Sequence, residues 1–134
     1  MENLFEMYMT PEKVKGITNL GLAHIGDGVY ELLCRSYLIS RGDKTVLKLH
    51  NATVELVKAP TQAKFADKLK PILTEEEMGY FRRGKNTHTR TAPKSSTPQE
   101  YAKATGFECL FGALYLLGRK ERLMELFAIC MEEV

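Results

Sequence analysis

The sequence predicts an all-α domain, and three observations lead to that class. Apolar residues recur at helical spacing through most of the chain, two segments open with a capping box, and no stretch shows the alternation of a half-buried strand. With 134 residues, of which 44% are hydrophobic, the chain has enough apolar material for one core. We therefore expect a single domain over residues 1–134, built of about six or seven helices.

Three helices are predicted in the first half of the chain. The first covers residues 19–41, with Thr18 as its N-cap and Gly42 as its stop. The residues expected to face the core are Leu22, Ile25, Val29, Leu32, Leu33 and Ser36. The second lies in TVLKLHNATVELVKA and ends before Pro60, because the residue ahead of a proline is pushed out of the helical region. The third begins at Pro60 and continues to about Leu69.

The helices of the second half have clearer starts. Two capping boxes, each a threonine with a glutamate three residues later, open the next two helices: Thr74 with Glu77, and Thr97 with Glu100. The second of these helices is predicted over 98–117, with Pro98 at its first position and Gly118 as its stop. The segment RKERLMELFAICMEEV forms the last helix.

Composition excludes several classes of protein. The net charge of +2 is too small to imply a polyanionic partner by itself. The three cysteines form no C-x-x-C pair and lie in apolar sequence, which predicts reduced core thiols in a cytoplasmic protein, not a disulfide frame or a zinc site; they are Cys34, Cys109 and Cys130. No uninterrupted apolar stretch is long enough to span a bilayer, so we expect no membrane partner.

Two acidic residues stand where a helix normally has none. Asp27 lies between Gly26 and Gly28, although each glycine inside a helix costs about 1 kcal/mol relative to alanine. Glu108 interrupts the apolar run GFECLFGALYLLG, with Gly112 one turn later. Glycines on both segments would let two helix backbones approach closely. We hypothesise that this approach brings the two carboxylates to one point, where Mg²⁺ neutralises both and keeps several waters.

Such a site activates water and offsets charge on a phosphoryl group, as phosphodiester hydrolysis requires. The alternative is that Asp27 and Glu31 form a solvated face while Glu108 pairs with a lysine or arginine from elsewhere. His24 precedes Asp27 by three residues, and we expect it to be an ordinary packed or hydrogen-bonded helix residue.

Basic residues cluster between positions 82 and 103, around a loop rich in threonine and serine. They are Arg82, Arg83, Lys85, Arg90, Lys94 and Lys103, with His88 among them. Cations, hydroxyls and backbone amides suit contact with a nucleic-acid backbone without base readout, and Arg82 and Lys94 are the first choices for phosphate contacts. The alternative is that Arg82, Arg83 and Lys85 only complement the end of their helix.

Several segments resemble the ribonuclease III family. LAHIGDGVYELLCRSYL resembles the signature helix of its catalytic domain, and FECLFGALYLLG resembles its second acidic helix. LHNATVELVKAPTQAKF, LTEEEMGYFRRGKN and APKSSTPQEYAKATGFE extend the resemblance, which is strongest to the compact bacterial branch, Mini-ribonuclease III. It covers the chain from about Leu20 to Leu126 and implies that Asp27 and Glu108 are the catalytic, metal-binding acids.

The resemblance has three departures. Longer ribonuclease III enzymes have glutamates where this chain has Leu20 and Ala23, and an aspartate where it has Thr105. The set of acidic ligands is therefore smaller, as in the compact branch. Because the chain ends at Val134, we also expect no double-stranded RNA-binding domain after the catalytic domain.

The resemblance implies an all-helical homodimer that cleaves double-stranded RNA through Mg²⁺-activated water, leaving a 5′-phosphate and a 3′-hydroxyl. It further implies maturation of precursor large-subunit (23S) ribosomal RNA in the cytoplasm, with a ribosomal protein as a candidate partner. The RNA-binding residues predicted from the basic cluster are Arg82, Arg83, Lys85 and Lys94. Two alternatives are a non-catalytic RNA-binding relative and a helical interaction domain with a solvated acidic face.

Overall fold

The structure, a computed structural model, describes residues 1–42, 44–87 and 94–134. In these residues it contains seven α-helices and no strand, which confirms the all-α class. The helices are α1 (Pro11–Lys15), α2 (Asn19–Ser40), α3 (Val46–Val57), α4 (Ala59–Leu69), α5 (Glu75–Lys85), α6 (Pro98–Leu116) and α7 (Lys120–Cys130). Three short 3₁₀ turns accompany them at Leu4–Glu6, Lys70–Ile72 and Met131–Glu133. The short α1 is the helix that the sequence analysis did not predict.

The predicted helix starts are confirmed in detail. The Thr74 hydroxyl accepts a hydrogen bond from the Glu77 amide at 3.1 Å, and the Glu77 carboxylate accepts one from the Thr74 amide at 2.9 Å. The second predicted box, at Thr97 and Glu100, has the same pair of distances. α6 is followed by Gly118 in the left-handed region, with φ of 75°, as its predicted stop requires.

Helix α6 is the central element of the fold. It packs against α2, α4 and α5, and nearly every residue from 104 to 116 is buried. A helix that is apolar on all sides belongs in the middle of a core. Glu108 is the one ionisable carboxyl group in that stretch, so a single acid lies within the buried part of α6.

The core face predicted for α2 is confirmed in part. Leu22 is buried, and Ile25, Val29 and Leu33 are partly buried and pack against the core. Leu32 is 52% exposed and Ser36 is also exposed, so the prediction is wrong at these two positions. The buried positions of α2 are Leu22, Ala23, Gly26, Tyr30, Cys34 and Leu38. The Tyr30 ring meets the Phe107 ring edge to face, with centroids 4.9 Å apart.

All three cysteines are free and buried, as predicted. No helix in the described ranges is long and apolar enough to cross a membrane.

Candidate active site

The site lies where α2 crosses α6, and two glycines determine how closely the helices approach. A Cβ atom on Gly26 would lie 1.7 Å from the carbonyl oxygen of Glu108, and one on Gly112 would lie 2.1 Å from the carbonyl oxygen of Leu22. No side chain is possible at either position without separating the backbones. The predicted close approach is therefore confirmed for Gly26 and Gly112, while Gly28 has no atom within 4 Å of its added Cβ.

This crossing brings the two predicted acids together. Asp27 directly follows Gly26 and is exposed, and Glu108 is half-buried on α6. The pKa of Glu108 is raised to about 8, first by burial and then by the charge of Asp27 and a hydrogen bond with it. At neutral pH without a cation, Glu108 therefore holds a proton that it donates to Asp27.

The alternative arrangement of the acids is not observed. Glu31 forms an ion pair with Arg35 on its own helix at 3.1 Å. In the described part of the chain, the side chains that act on the pKa of Glu108 are Asp27 and Gln62, with no lysine or arginine among them. His24 is exposed, so it is not the packed residue that we expected.

The acid pair fits a hydrated divalent cation. Within the described residues there is no group of three or more His, Cys, Asp or Glu side chains arranged to hold a metal ion. Mg²⁺ does not need such a cage, since it usually keeps several waters and binds through one or two carboxylates. Two carboxylates in contact, one of them open to solvent, also need positive charge to ionise together. The pair therefore suits a hydrated Mg²⁺ better than a closed structural site.

The three positions at which this chain lacks an acid of the longer enzymes differ in their surroundings. Ala23 and Thr105 are buried, and the Thr105 hydroxyl donates to the Tyr101 carbonyl of its own helix at 3.0 Å. Leu20 is 54% exposed. None of these positions supplies a further oxygen ligand beside the acid pair.

Gln62 is the residue at the site that sequence reasoning missed. It lies on α4, is 1% exposed, and lowers the pKa of the Glu108 carboxyl against the effects of burial and Asp27. A signal was present in the sequence, because Gln62 shares one helical face with Phe65, Ala66 and Leu69. A polar residue on an apolar face needs a partner inside the protein.

The predicted RNA-binding residues have different surroundings. Arg82, Lys85 and Lys94 are exposed. Arg83 is half-buried, and its guanidinium donates to the Asn19 side chain at 2.7 Å and to the Ile17 carbonyl at 2.6 Å, so it joins α5 to the start of α2. In the wider basic cluster, Lys103 pairs with Asp67 at 3.0 Å, and His88 and Arg90 lie outside the described residues.

The end of α5 packs against the segment of α6 that carries Glu108. A Cβ atom on Gly84 would lie 2.6 Å from the Thr105 carbonyl oxygen and 2.7 Å from the sulfur of Cys109, the residue after Glu108. Gly84 stands between Arg83 and Lys85, so this contact places the basic end of α5 against the segment of α6 that carries the acid. Cationic and acidic parts of the site are thus neighbours in the fold.

Comparisons with known proteins agree on one family. The Ribonuclease III domain matches residues 20–119. Mini-ribonuclease 3 of Clostridium tetani is 44% identical over 90% of this chain and 80% of that protein. Mini-ribonuclease 3 of Symbiobacterium thermophilum is 47% identical over 79% of this chain and 82% of that protein. A crystal structure of a Fusobacterium nucleatum protein has 32% identity and a TM-score of 0.79 over 87% of this chain and 93% of that one.

Proposed function

We propose, from the premise that this chain belongs to the ribonuclease III family of endoribonucleases, that it hydrolyses double-stranded RNA with Mg²⁺ held by Asp27 and Glu108. The observation that carries the proposal is the contact between these two carboxylates at the α2–α6 crossing. Gly26 and Gly112 fix that contact through the backbones, so the acids are held in position before any substrate arrives.

The two acids have different tasks in this proposal. Asp27 is exposed, and it faces the solvent from which a phosphate group of the RNA approaches. Glu108 is half-buried and must give up its proton for the pair to carry its full negative charge. A bound Mg²⁺ supplies a water of lowered pKa and offsets charge on the phosphoryl group.

Substrate contacts are proposed for exposed cations at the end of α5 and in the segment before α6. Arg82, Lys85 and Lys94 bind phosphates of the duplex, and Arg83 supports them by holding the end of α5. Contacts to phosphates position a nucleic acid without reading its sequence, while A-form RNA is recognised by its shape and its 2′-hydroxyls. Precursor large-subunit (23S) ribosomal RNA in the cytoplasm is the proposed substrate, with a ribosomal protein as a candidate partner.

A homodimer is the proposed functional form. The outer face of α2 contains Leu20, Leu32 and Ile39, and the neighbouring α3 exposes Val46 and Leu47. Exposed apolar side chains grouped in this way mark an interaction surface. Asp27 lies at the edge of the same face of α2, so pairing two copies through it would set one acid pair on each side of the interface.

The test is cleavage of a long RNA duplex in Mg²⁺ at low salt by the native protein, Asp27→Asn and Glu108→Gln. Both changes keep the shape of the side chain and remove the charge that a cation needs, so we expect both to abolish cleavage. Glu31→Gln is the matched control, since it removes an exposed carboxylate of α2 that pairs with Arg35, and it should cut normally.

Two outcomes would contradict the proposal. Normal cleavage by either acid variant would show that the acid pair does not hold the catalytic ion. A native protein that binds the duplex and never cuts it would instead be a non-catalytic RNA-binding member of the family.

A further inference from the structure

Gln62 is a polar side chain placed in the core beside the acid pair. It is 1% exposed and lies on α4 among buried apolar residues. A buried amide without hydrogen bonds costs about 1–3 kcal/mol, so a polar residue at such a position requires partners for both ends of its amide group. The two ends of Gln62 have different surroundings.

The amide nitrogen has a partner inside the protein. Nε2 donates to the carbonyl oxygen of Val57 at 2.9 Å. Val57 is the last residue of α3, where carbonyl groups have no partner within the helix. The Gln62 side chain also lies close enough to the Glu108 carboxyl to act on it. Gln62 therefore joins the end of α3 to the acid on α6.

The amide oxygen has no partner. In the described parts of the chain, Oε1 of Gln62 is buried and accepts no hydrogen bond. The bond from Nε2 to Val57 determines which end of the amide is the oxygen. A buried acceptor without a hydrogen bond carries the full desolvation cost of that group, about 1–3 kcal/mol, unless a water molecule or another donor reaches it.

We propose that Gln62 is a positioning residue of the acid pair: its Nε2 orients the Glu108 carboxylate, and its Oε1 accepts a hydrogen bond from a water in the shell of the bound cation. This inference rests on the proposed function, because it requires a cation at the pair. Partners of this kind, which hold the ligands and waters of an ion without touching it, typically change metal affinity by about tenfold to a hundredfold.

The experiment measures Mn²⁺ binding to the RNA-free protein by electron paramagnetic resonance, with Mn²⁺ as a spectroscopic probe of an oxygen-ligand site. The variant is Gln62→Met, which keeps the length of the side chain and removes both amide functions. Thr53→Val is the matched control, because Thr53 is also buried and loses one hydrogen bond, that of its hydroxyl to the Leu49 carbonyl. Melting curves of each protein, and duplex cleavage by the native protein, are recorded in parallel.

We expect Gln62→Met to bind Mn²⁺ about tenfold or more weakly than the native protein and Thr53→Val to bind it equally well. Equal affinity in Gln62→Met and in a native protein that cuts RNA would overturn this inference and leave the proposed function standing. A native protein that neither binds Mn²⁺ nor cuts duplex RNA would overturn both.

A second variant decides the question if Gln62→Met does not fold. Gln62→Asn keeps both amide functions but is shorter by one methylene, which withdraws them from Glu108 and from the ion, so it should bind Mn²⁺ more weakly than the native protein. Equal affinity in a folded Gln62→Asn would contradict the positioning role of Gln62.

Discussion

At the residue scale, the main consequence of the fold is the altered protonation of Glu108. Its ordinary pKa of 4.5 is raised to about 8, first by burial and then by Asp27. Between these values the folded protein holds a proton that the unfolded chain has released. The free energy of unfolding of the metal-free protein must therefore fall as the pH rises from about 5 to 8.

We expect Glu108→Gln to remove this pH dependence and to be more stable than the native protein at pH 8. The free energy of unfolding is measured by urea unfolding of both proteins, with a chelator present, at several pH values from 5 to 8. Glu31→Gln should keep the native slope, because Glu31 lies outside the acid pair. Parallel slopes in the native protein and Glu108→Gln would show that Glu108 is already ionised at low pH.

At the element scale, the crossing of α2 and α6 determines whether the acids meet. A methyl group on Gly26 would overlap the Glu108 carbonyl oxygen at 1.7 Å, and that atom belongs to the backbone and cannot move alone. We expect Gly26→Ala to destabilise the protein by about 3 kcal/mol, the upper part of the range for overpacking, and to abolish cleavage by separating the helices.

Gly79→Ala is the matched control for this helix crossing. Gly79 also lies inside a helix, but nothing lies within 4 Å of its added Cβ, so alanine should stabilise the protein by about 0.5–1 kcal/mol. Thermal or urea unfolding compares the two variants. Equal effects at both positions would mean that the α2–α6 contact is looser than the structure has it.

At the scale of the whole molecule, the apolar outer face of α2 and α3 calls for a partner. We expect the native protein to scatter light with twice the mass of one chain at micromolar concentration. Leu32→Lys should shift it to the monomer, because it places a charge in the proposed interface. Ile72→Lys is the control, since Ile72 is similarly exposed, at 44%, on a different element. A monomeric native protein would contradict the proposed dimer.

The prediction of the helices succeeded where the signal is local. A threonine with a glutamate three residues later, a proline at the first helical position and a glycine at the stop act within one turn of the chain, so the starts of α5 and α6 could be read without tertiary structure. The inner face of α2 could be read only in part. Leu22, Ile25, Val29 and Leu33 are in or against the core, but the hydrophobic pattern also included Leu32, which lies on the exposed face.

The candidate site also has some features that the local sequence predicts and others that only tertiary contacts determine. The sequence by itself determined the family, through several matching segments. It also singled out the two acids and the glycines, because an acid in an apolar helix and a glycine inside a helix each carry a local energetic penalty. Only the tertiary structure decided that Gly26 and not Gly28 makes the close contact, that Arg83 bonds within the protein, and that Gln62 is buried near Glu108. Each of these depends on which atoms of distant segments meet, and spacing along one chain does not contain that information.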